Sequence, residues 1–442
     1  LGIVPPFVDP ARFSCPNQDI TLPYLKLILI KVIMNDKDQS TRSAVFLTNG
    51  CPENRLDAAS MLELWRSQGR DVSSDVSNAD LILFNACGLT DANEMTSLEI
   101  IKDIRKKKKK SCRLIVCGCL PRINPAALEG IYEDITFGSD DIKSFSKLIN
   151  ADQSRNYPCA NYLLPITTYK NISIKSINRF NKLIDPYFTL YHLLLNKRYS
   201  RYGRERDISN PRHYFIKIAT GCVHRCSYCA VRLSRGPIHS KPIENILQEV
   251  RKGLMEGYSD IALLATDSGS YGVDRNATFV DLLNEILSIP GDFRIRLRNV
   301  HPQFLTFKLP DLVPIFKTGR IVHMTSAIQS GNNRILKLMN RNYTVESCCA
   351  AYDALKKACP SLQIRSQIIV GFPGETEAEF QDSLKVIDTG LFDFMEVYQF
   401  SPRINTPAAA LANNLSSSVV SNRYYRLVKK IVEQIENGRG TR

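Results

Sequence analysis

Apolar and polar positions fall into a regular alternation from Ser43 onward. Ala44 to Thr48 (AVFLT) is a short apolar run, the pattern of a strand covered on both faces. Leu56 to Gln68 then shows helical spacing through Leu56, Ala59, Leu62, Leu64 and Trp65. The theme repeats with a strand at Ala79–Asn85, a helix at Glu94–Lys107 carrying Leu98, Ile101 and Ile104 on one face, and a strand at Leu114–Cys117. Strands alternating with helices predict an α/β domain built on a parallel sheet, ending near Asn150. A second alternation runs from His213 to about Gln399. Its strands are predicted at Tyr214–Ile218, Ile261–Ala265, Arg294–Leu297, Ile321–Thr325, Ile364–Val370 and Phe394–Gln399. Helical stretches separate them at Ile243–Leu254, Phe279–Leu287, Val345–Lys357 and Glu377–Thr389. Six strand–helix units predict a parallel barrel or partial barrel, a (β/α)6 unit whose chemistry gathers at the carboxyl ends of its strands.

The remaining stretches lack this order. Residues 1–42 carry Pro5, Pro6, Pro10, Pro16 and Pro23, show no period and begin with Leu1, so they read as an irregular extension of the kind an upstream translation start would add. Residues 151–212 hold eleven Lys or Arg against four Asp or Glu and one apolar helical cluster, Tyr187 to Leu195. They read as a basic linker or insertion packed on a neighbour. A tail, 412–442, holds an amphipathic helix at Asn422–Glu436. The expected organisation is thus 1–42, 43–150, 151–212, 213–411 and 412–442.

At 442 residues, with 44% hydrophobic and 23% charged, the chain has a globular balance that excludes global disorder. A net charge of +14 favours a polyanionic partner. Leu27–Ile30 sits between Lys26 and Lys31 and is too short to span a bilayer. No signal-peptide pattern precedes it, so a cytoplasmic protein without a membrane partner is expected. Thirteen cysteines spread along such a chain read as thiols and metal ligands rather than as a disulfide scaffold.

The decisive motif is Cys222-Val-His-Arg-Cys226-Ser-Tyr-Cys229, directly after a predicted strand. Three thiolates at this spacing can hold three irons of a [4Fe–4S] cluster. The fourth iron then stays open to the amino and carboxylate groups of S-adenosylmethionine, whose reductive cleavage yields a 5′-deoxyadenosyl radical. A zinc site is the alternative. Zinc prefers four ligands in paired knuckles, and the ring of His224 would have to fold back within its own loop to supply one. Cys51, Cys87 and Cys119 follow three successive strands of one parallel sheet, so they converge at one sheet edge. On the residues alone they are either a second ligand set or three small buried hydrophobes. Cys117, two residues before Cys119 and on the same strand face, is the alternative to it as a ligand. Cys15, Cys112, Cys159, Cys348, Cys349 and Cys359 match no motif.

The CxxxCxxC loop on the first strand of a six-fold β/α unit resembles the radical S-adenosylmethionine superfamily. Several short words narrow the resemblance. Gly50-Cys51-Pro-Glu-Asn54-Arg-Leu-Asp57, Asn85-Ala-Cys87 and Gly118-Cys119-Leu-Pro precede the loop. Asp267-Ser-Gly-Ser-Tyr271-Gly272-Val-Asp274, Gln329-Ser330-Gly331, Met339-Asn-Arg341, Ile369-Val-Gly371-Phe-Pro-Gly374-Glu375 and Ser401-Pro402-Arg403 follow it. Over residues 43–411 their order is similar to that in the methylthiotransferases of this superfamily. The resemblance implies two [4Fe–4S] clusters, one on Cys222, Cys226 and Cys229 and one on Cys51, Cys87 and Cys119, the second delivering a methylated sulfur. Gly118 matches the family word and favours Cys119 over Cys117. The resemblance also implies S-adenosylmethionine contacts from Gln329, Ser330 and Arg341. Asp267 resembles a family acid near the cofactor. Tyr228 either packs against the adenine or simply packs the loop. Gly371 and Glu375 either admit the cofactor closely or form an ordinary strand-to-helix turn.

The reaction so implied inserts a methylthio group at a C–H bond. The Asp267 word most resembles the subgroup acting at C2 of N6-threonylcarbamoyladenosine beside a tRNA anticodon. The rival substrate is an aspartyl residue of a ribosomal protein or peptide, and a rival of another class is a non-catalytic RNA-binding remnant. The expected partners are tRNA and a reductive electron donor such as flavodoxin or ferredoxin, with the enzyme a monomer. Many relatives end in an RNA-gripping β-barrel. Beyond Asn413 only about thirty residues remain, which five strands of about five or six residues would exhaust, so that barrel is expected to be absent or truncated. Ala327, Arg232 and Asn405 depart from the usual Pro, Pro and Gly. The run Lys106–Lys110 is either a solvated helix end or a phosphate contact. Lys197, Arg198, Arg201, Arg204 and Arg206, interleaved with Tyr199 and Tyr202, offer a second RNA surface in which the tyrosines would stack on bases.

Overall fold

Two parallel sheets organise the computed structural model, which describes residues 43–151, 157–167, 186–205, 210, 212–411 and 414–438. The extension 1–42 and Arg206 lie outside the described residues. The first sheet contains β1 (Ser43–Thr48), β2 (Asp71–Val72), β3 (Leu81–Ala86), β4 (Arg113–Gly118) and β5 (Thr136–Phe137) in the order β2-β1-β3-β4-β5, all parallel. The apolar runs become strands because both faces of the sheet are covered. Helix Pro52–Ser67 buries Leu56, Ala59, Leu62 and Trp65 on one face, and helix Asp91–Lys107 buries Ile100, Ile101 and Ile104 on the other. Thr90 caps the second helix by accepting from the Asn93 N–H.

The second sheet starts with β6 (Tyr214–Lys217). An antiparallel ribbon of β7 (Ala219–Thr220) and β8 (His239–Ser240) follows. The sheet continues with β9 (Asp260–Leu264), β10 (Arg294–Leu297), β11 (Ile321–Thr325), β12 (Gln363–Val370) and β13 (Phe394–Gln399). Its order, β13-β12-β11-β10-β9-β6, is entirely parallel. This is the expected partial (β/α)6 barrel. Its outer face buries Ile216, Leu263, Ile295, Met324 and Ile364 beneath a layer of helices. Its inner face is different. There Phe215, Ala262 and Leu264, on β6 and β9, share a core with Leu56 and Trp65 of the first sheet. Helix Pro52–Ser67 therefore covers one side of the barrel mouth.

The simple strand-then-helix scheme needs amendment in places. The ribbon and the two-residue strands β2 and β5 carry too few residues to register as a period. Two short helices, Pro302–Phe307 and Leu309–Lys317, follow β10, and Asn333–Leu338 precedes Val345–Ala358. Helix Pro186–Glu205 extends the apolar cluster predicted there and packs against helix Ser417–Glu436 and β13. The predicted base-stacking role does not hold for Tyr199, whose ring packs against Phe394. Tyr199 donates to the Met395 carbonyl and accepts from the Val397 N–H at 3.0 and 2.8 Å, and Tyr202 bonds Glu436 at 3.0 Å. The cations Lys197, Arg198, Arg201 and Arg204 remain exposed. The Lys106–Lys110 run ends a helix: Lys107 pairs with Asp103, Lys109 with Asp80, and Lys108 reaches the Cys112 carbonyl. Among the described residues no helix is long and apolar enough to cross a membrane.

Candidate active site

β1, β3 and β4 are neighbours in register, so the residues that follow them emerge side by side. Cys51 stands at the start of helix Pro52–Ser67, Cys87 just after β3, and Cys119 just after β4. Asn54 joins two of them, its Oδ1 lying 3.7 Å from the Cys51 sulfur and 3.5 Å from that of Cys119. Burial pushes the Cys87 thiol up to about 12, and its neighbours Cys119 and Cys51 add to the rise. Burial also raises Cys51 and Cys119, while the Arg235 cation opposes it at both. Gly118 sets the position of Cys119. Its φ of +114° lies in the region that favours glycine, and a Cβ there would come within 2.4 Å of the Ala86 carbonyl oxygen. That turn breaks the strand alternation, so Cys117 and Cys119 part company. Cys117 faces a core with Ile115 and Phe137, whereas Cys119 packs near Ile123 and Ala230.

The second trio sits in the loop after β7. Burial and the Asp267 carboxylate push Cys222 up to about 12, with Cys229 and Cys226 contributing, and burial beside Cys226 pushes Cys229 up to about 11. The loop is pinned from the far side of the barrel. Ser227 donates from its N–H to the Met339 carbonyl and from its hydroxyl to that of Leu338, and Asn340 donates to the Arg225 carbonyl. Arg341, buried beside it, places Nη1 3.5 Å from the Cys226 sulfur and Nη2 2.9 Å from the Ala327 carbonyl. His224 turns away from the cysteines. Its Nε2 lies 3.0 Å from Asp267, and its ring stacks on His301 at 3.7 Å.

Among the described residues no three His, Cys, Asp or Glu converge on the position of one metal ion. A mononuclear zinc needs its thiolates about 2.3 Å from a single point, whereas a cubane spreads them over separate irons. The donor sets, all thiol and each grouped by the strand ends, fit clusters rather than a lone ion. Cys51, Cys87, Cys119, Cys222 and Cys229 titrate late, so loading either trio must displace protons.

Sequence reasoning missed the side chains between the trios. Arg235 closes the short helix Val231–Arg235, six positions after Cys229, and is almost wholly buried. It donates to Asn54 Oδ1 at 2.6 Å and pairs with Asp57 at 3.1 Å and Glu53 at 3.7 Å. Lys217 of β6 also pairs with Asp57. Thr266 donates to Glu53 at 2.9 Å, and Asn299 approaches Glu53 at 3.4 Å. Arg403, from the Ser-Pro-Arg word, is buried and clamps Asp91 and Glu94 of helix Asp91–Lys107. The first sheet is thereby bolted to the barrel mouth. The only available signal was the words themselves, since partners such as Asn54 and Arg235 lie 181 positions apart.

The candidate cofactor contacts are distributed unevenly. Tyr228 packs with Ile335, Ile369, Phe372 and Ala408. Gln329 holds a φ of +70°, is bridged to Ile368, and leaves its Oε1 buried without a partner, as does the Nε of Arg341. Ser330 spends its hydroxyl on the Asn332 N–H. Glu375 accepts from the Gly371 N–H at 2.9 Å and from Arg423 of helix Ser417–Glu436 at 2.6 Å, leaving Oε1 unpartnered. Val420 of that helix fills the space beside Gly371, where a Cβ would meet it at 2.6 Å. Asp267 caps its own turn through the Gly269 N–H, and Tyr271 and Asp274 of the same word anchor the β7–β8 ribbon. The orphaned Arg341 and His301 atoms beside the Cys222 loop, and that of Gln329, are of the polar kind a zwitterionic cofactor would satisfy.

The barrel with its three-cysteine loop defines a radical S-adenosylmethionine enzyme. A family profile described as the radical SAM superfamily matches residues 216–387, and one described as uncharacterized protein family UPF0004 matches 43–138. A probable threonylcarbamoyladenosine tRNA methylthiotransferase of Pyrococcus horikoshii is 31% identical over 397 residues, 88% of this chain and 84% of the relative. The ribosomal protein uS12 methylthiotransferase of Protochlamydia amoebophila is 29% identical over 401 residues, 88% and 77% of the two chains. The fold is similar to that of the radical S-adenosylmethionine methyltransferase TsrM from Kitasatospora setae, at a TM-score of 0.53 and 12% identity over 84% of this chain and 77% of that one. The chain belongs to the methylthiotransferase family, whose enzymes use [4Fe–4S] clusters and S-adenosylmethionine.

Proposed function

We propose that the enzyme inserts a methylthio group at C2 of N6-threonylcarbamoyladenosine in tRNA. In this reading Cys222, Cys226 and Cys229 hold one [4Fe–4S] cluster, and Cys51, Cys87 and Cys119 hold the other. The observation that carries it is the Asn54–Arg235 contact, a single buried link from the end of the Cys222 loop to two thiols of the first sheet. Bound there, the clusters and S-adenosylmethionine supply hydrogen abstraction at an unactivated carbon and a methylated sulfur. The chain's own residues do the rest. Arg341 places positive charge against Cys226. Gln329 and the free edge of Glu375 offer acceptors to the cofactor's ammonium. Glu53, Asp57 and Lys217 keep the trios at fixed separation.

Several further assignments belong to the same proposal. Residues 43–150 serve the sulfur-delivering cluster, 213–411 the radical-generating one, and 151–212 join them. The enzyme works as a cytoplasmic monomer reduced by a flavodoxin or ferredoxin. The net charge of +14 supports an RNA substrate, as does the likeness to the probable threonylcarbamoyladenosine tRNA methylthiotransferase of Pyrococcus horikoshii. The Protochlamydia relative supports the second reading, an aspartyl residue of a ribosomal protein. Anaerobically reconstituted enzyme should add about 46 Da, one hydrogen replaced by SCH₃, to threonylcarbamoylated tRNA and nothing to an aspartyl peptide. A gain confined to the peptide rejects the RNA assignment.

A further inference from the structure

Among the described residues, apolar cover of the barrel's inner face is confined to β6 and β9. Helix Pro52–Ser67 closes it over β6 and β9, but over β10 to β13 it is lined by polar and charged groups. Alternation explains which ones. Ile295 and Leu297 of β10 face the outer core, so Arg296 and Arg298 face inward. Most of these charges are matched. Asp260 takes Arg294 at 2.5 Å and Arg296 at 2.9 Å. Glu396 takes Arg365 at 2.6 Å, Gln367 at 2.6 Å and Tyr398 at 3.1 Å. Arg298 is the exception. It is half-buried, and among the described residues no carboxylate lies within ion-pairing distance of its guanidinium. Glu396, whose carboxyl feels its charge, is already committed to Arg365, and burial pushes His323 down to about 3, so it carries no charge to offer.

Its place in the chain is equally specific. The Arg298 carbonyl accepts from Ser268 at 2.5 Å, one residue past Asp267, which faces the Cys222 loop. The next residue, Asn299, approaches Glu53, two positions past Cys51. Arg298 therefore stands at a strand's carboxyl end, on the open side of the mouth that both trios border. A guanidinium never loses its charge, and its planar fork pairs with a carboxylate through two parallel hydrogen bonds.

We infer that Arg298 is a specificity-determining residue that receives the carboxylate of the threonylcarbamoyl group and so selects the modified adenosine over the bare base. This rests on the RNA reading proposed above and names the part of the substrate that the barrel recognises. Phosphate is the other anion an RNA offers, and the test separates the two.

Reconstituted enzyme is given anticodon stem-loop RNA bearing threonylcarbamoyladenosine as the free acid or as its methyl ester, and an aspartyl peptide in parallel. The wild type should prefer the acid by about tenfold or more in kcat/KM. Arg298→Gln should lose about tenfold on the acid, mainly through KM, and little on the ester; Arg298→Lys should recover part of the loss. Iron content and melting temperature of both variants report folding independently. A wild type indifferent to esterification, or equal losses on acid and ester, overturns the carboxylate assignment in favour of phosphate or of a structural role. Mass gain on the peptide alone overturns the RNA reading as well, and is distinguishable because neither RNA is then modified.

Discussion

Asn54 and Arg235 concentrate the chemistry of the first trio in one buried contact. A neutral thiol can donate to the Asn54 oxygen, but a thiolate facing that oxygen needs a cation nearby, and Arg235 is the cation in reach. Arg235→Gln should therefore lower iron from about eight to about four per chain after reconstitution, sparing the cluster at Cys222. It should also cost about 3–5 kcal/mol in chemical denaturation, because Glu53 and Asp57 lose a buried partner. Retention of full iron would remove Arg235 from this role. The same iron assay separates ligands from bystanders. Replacing Cys51, Cys87 and Cys119 together, or Cys222, Cys226 and Cys229 together, should each leave about four irons, whereas Cys117→Ala should leave about eight. The Cys222 trio was legible because its spacing is contiguous. The Cys51 trio needed the sheet order to bring it together, and the cation behind it needed the tertiary fold.

Helix Pro52–Ser67 links levels that are usually separate. Its first turn presents Glu53, Asn54 and Asp57 to the site, and its apolar stripe closes the barrel mouth. Lys217 and Arg235 hold the buried Asp57 carboxyl below the ordinary carboxylate range, against the opposing effect of burial. A depressed acid of this kind contributes stability above its unfolded value, about pH 4, and loses it as pH falls through the folded one. Melting temperature should thus drop as pH is lowered below about 4. Asp57→Asn should melt lower at neutral pH and show a shallower acid slope; an unchanged slope would place the acid sensitivity elsewhere. Arg403→Met should similarly loosen helix Asp91–Lys107, read as faster amide exchange over its first turn. At this scale the sequence was most informative where apolar runs were long. All six barrel strands lie within about two residues of their predicted bounds, since most are largely buried runs flanked by turns. What the periodicity could not convey was which face of β10 looks inward. RIRL alternates as a half-exposed strand would, and only the packing of Ile295 and Leu297 into the outer core assigns its arginines to the inner face.

Across the whole molecule, charge is arranged as well as abundant. The excess of +14 includes a row of exposed cations, Lys197, Arg198, Arg201 and Arg204, on helix Pro186–Glu205. That helix packs along β13, the edge strand of the open barrel, with Tyr199 holding it there and Tyr202 tying it to helix Ser417–Glu436. The tyrosines thus fix the cations beside the barrel edge. If RNA is the substrate, phosphates should run along this helix while the target base enters the mouth. Binding of anticodon stem-loop RNA should then weaken steeply with salt, as bound counterions are released. Replacing Lys197 and Arg204 together by Gln should reduce the slope of log K against log salt by about 1–2, at about 0.7–0.9 per lost phosphate contact, and should weaken binding without regard to threonylcarbamoylation. Substitution at Arg298 should do the reverse, leaving the salt slope largely intact while erasing the preference for the modified base. A salt slope unmoved by the Lys197 and Arg204 changes would take the RNA path away from this helix. A slope near zero in the wild type would leave the positive charge without an RNA role and shift the balance towards the ribosomal-protein substrate.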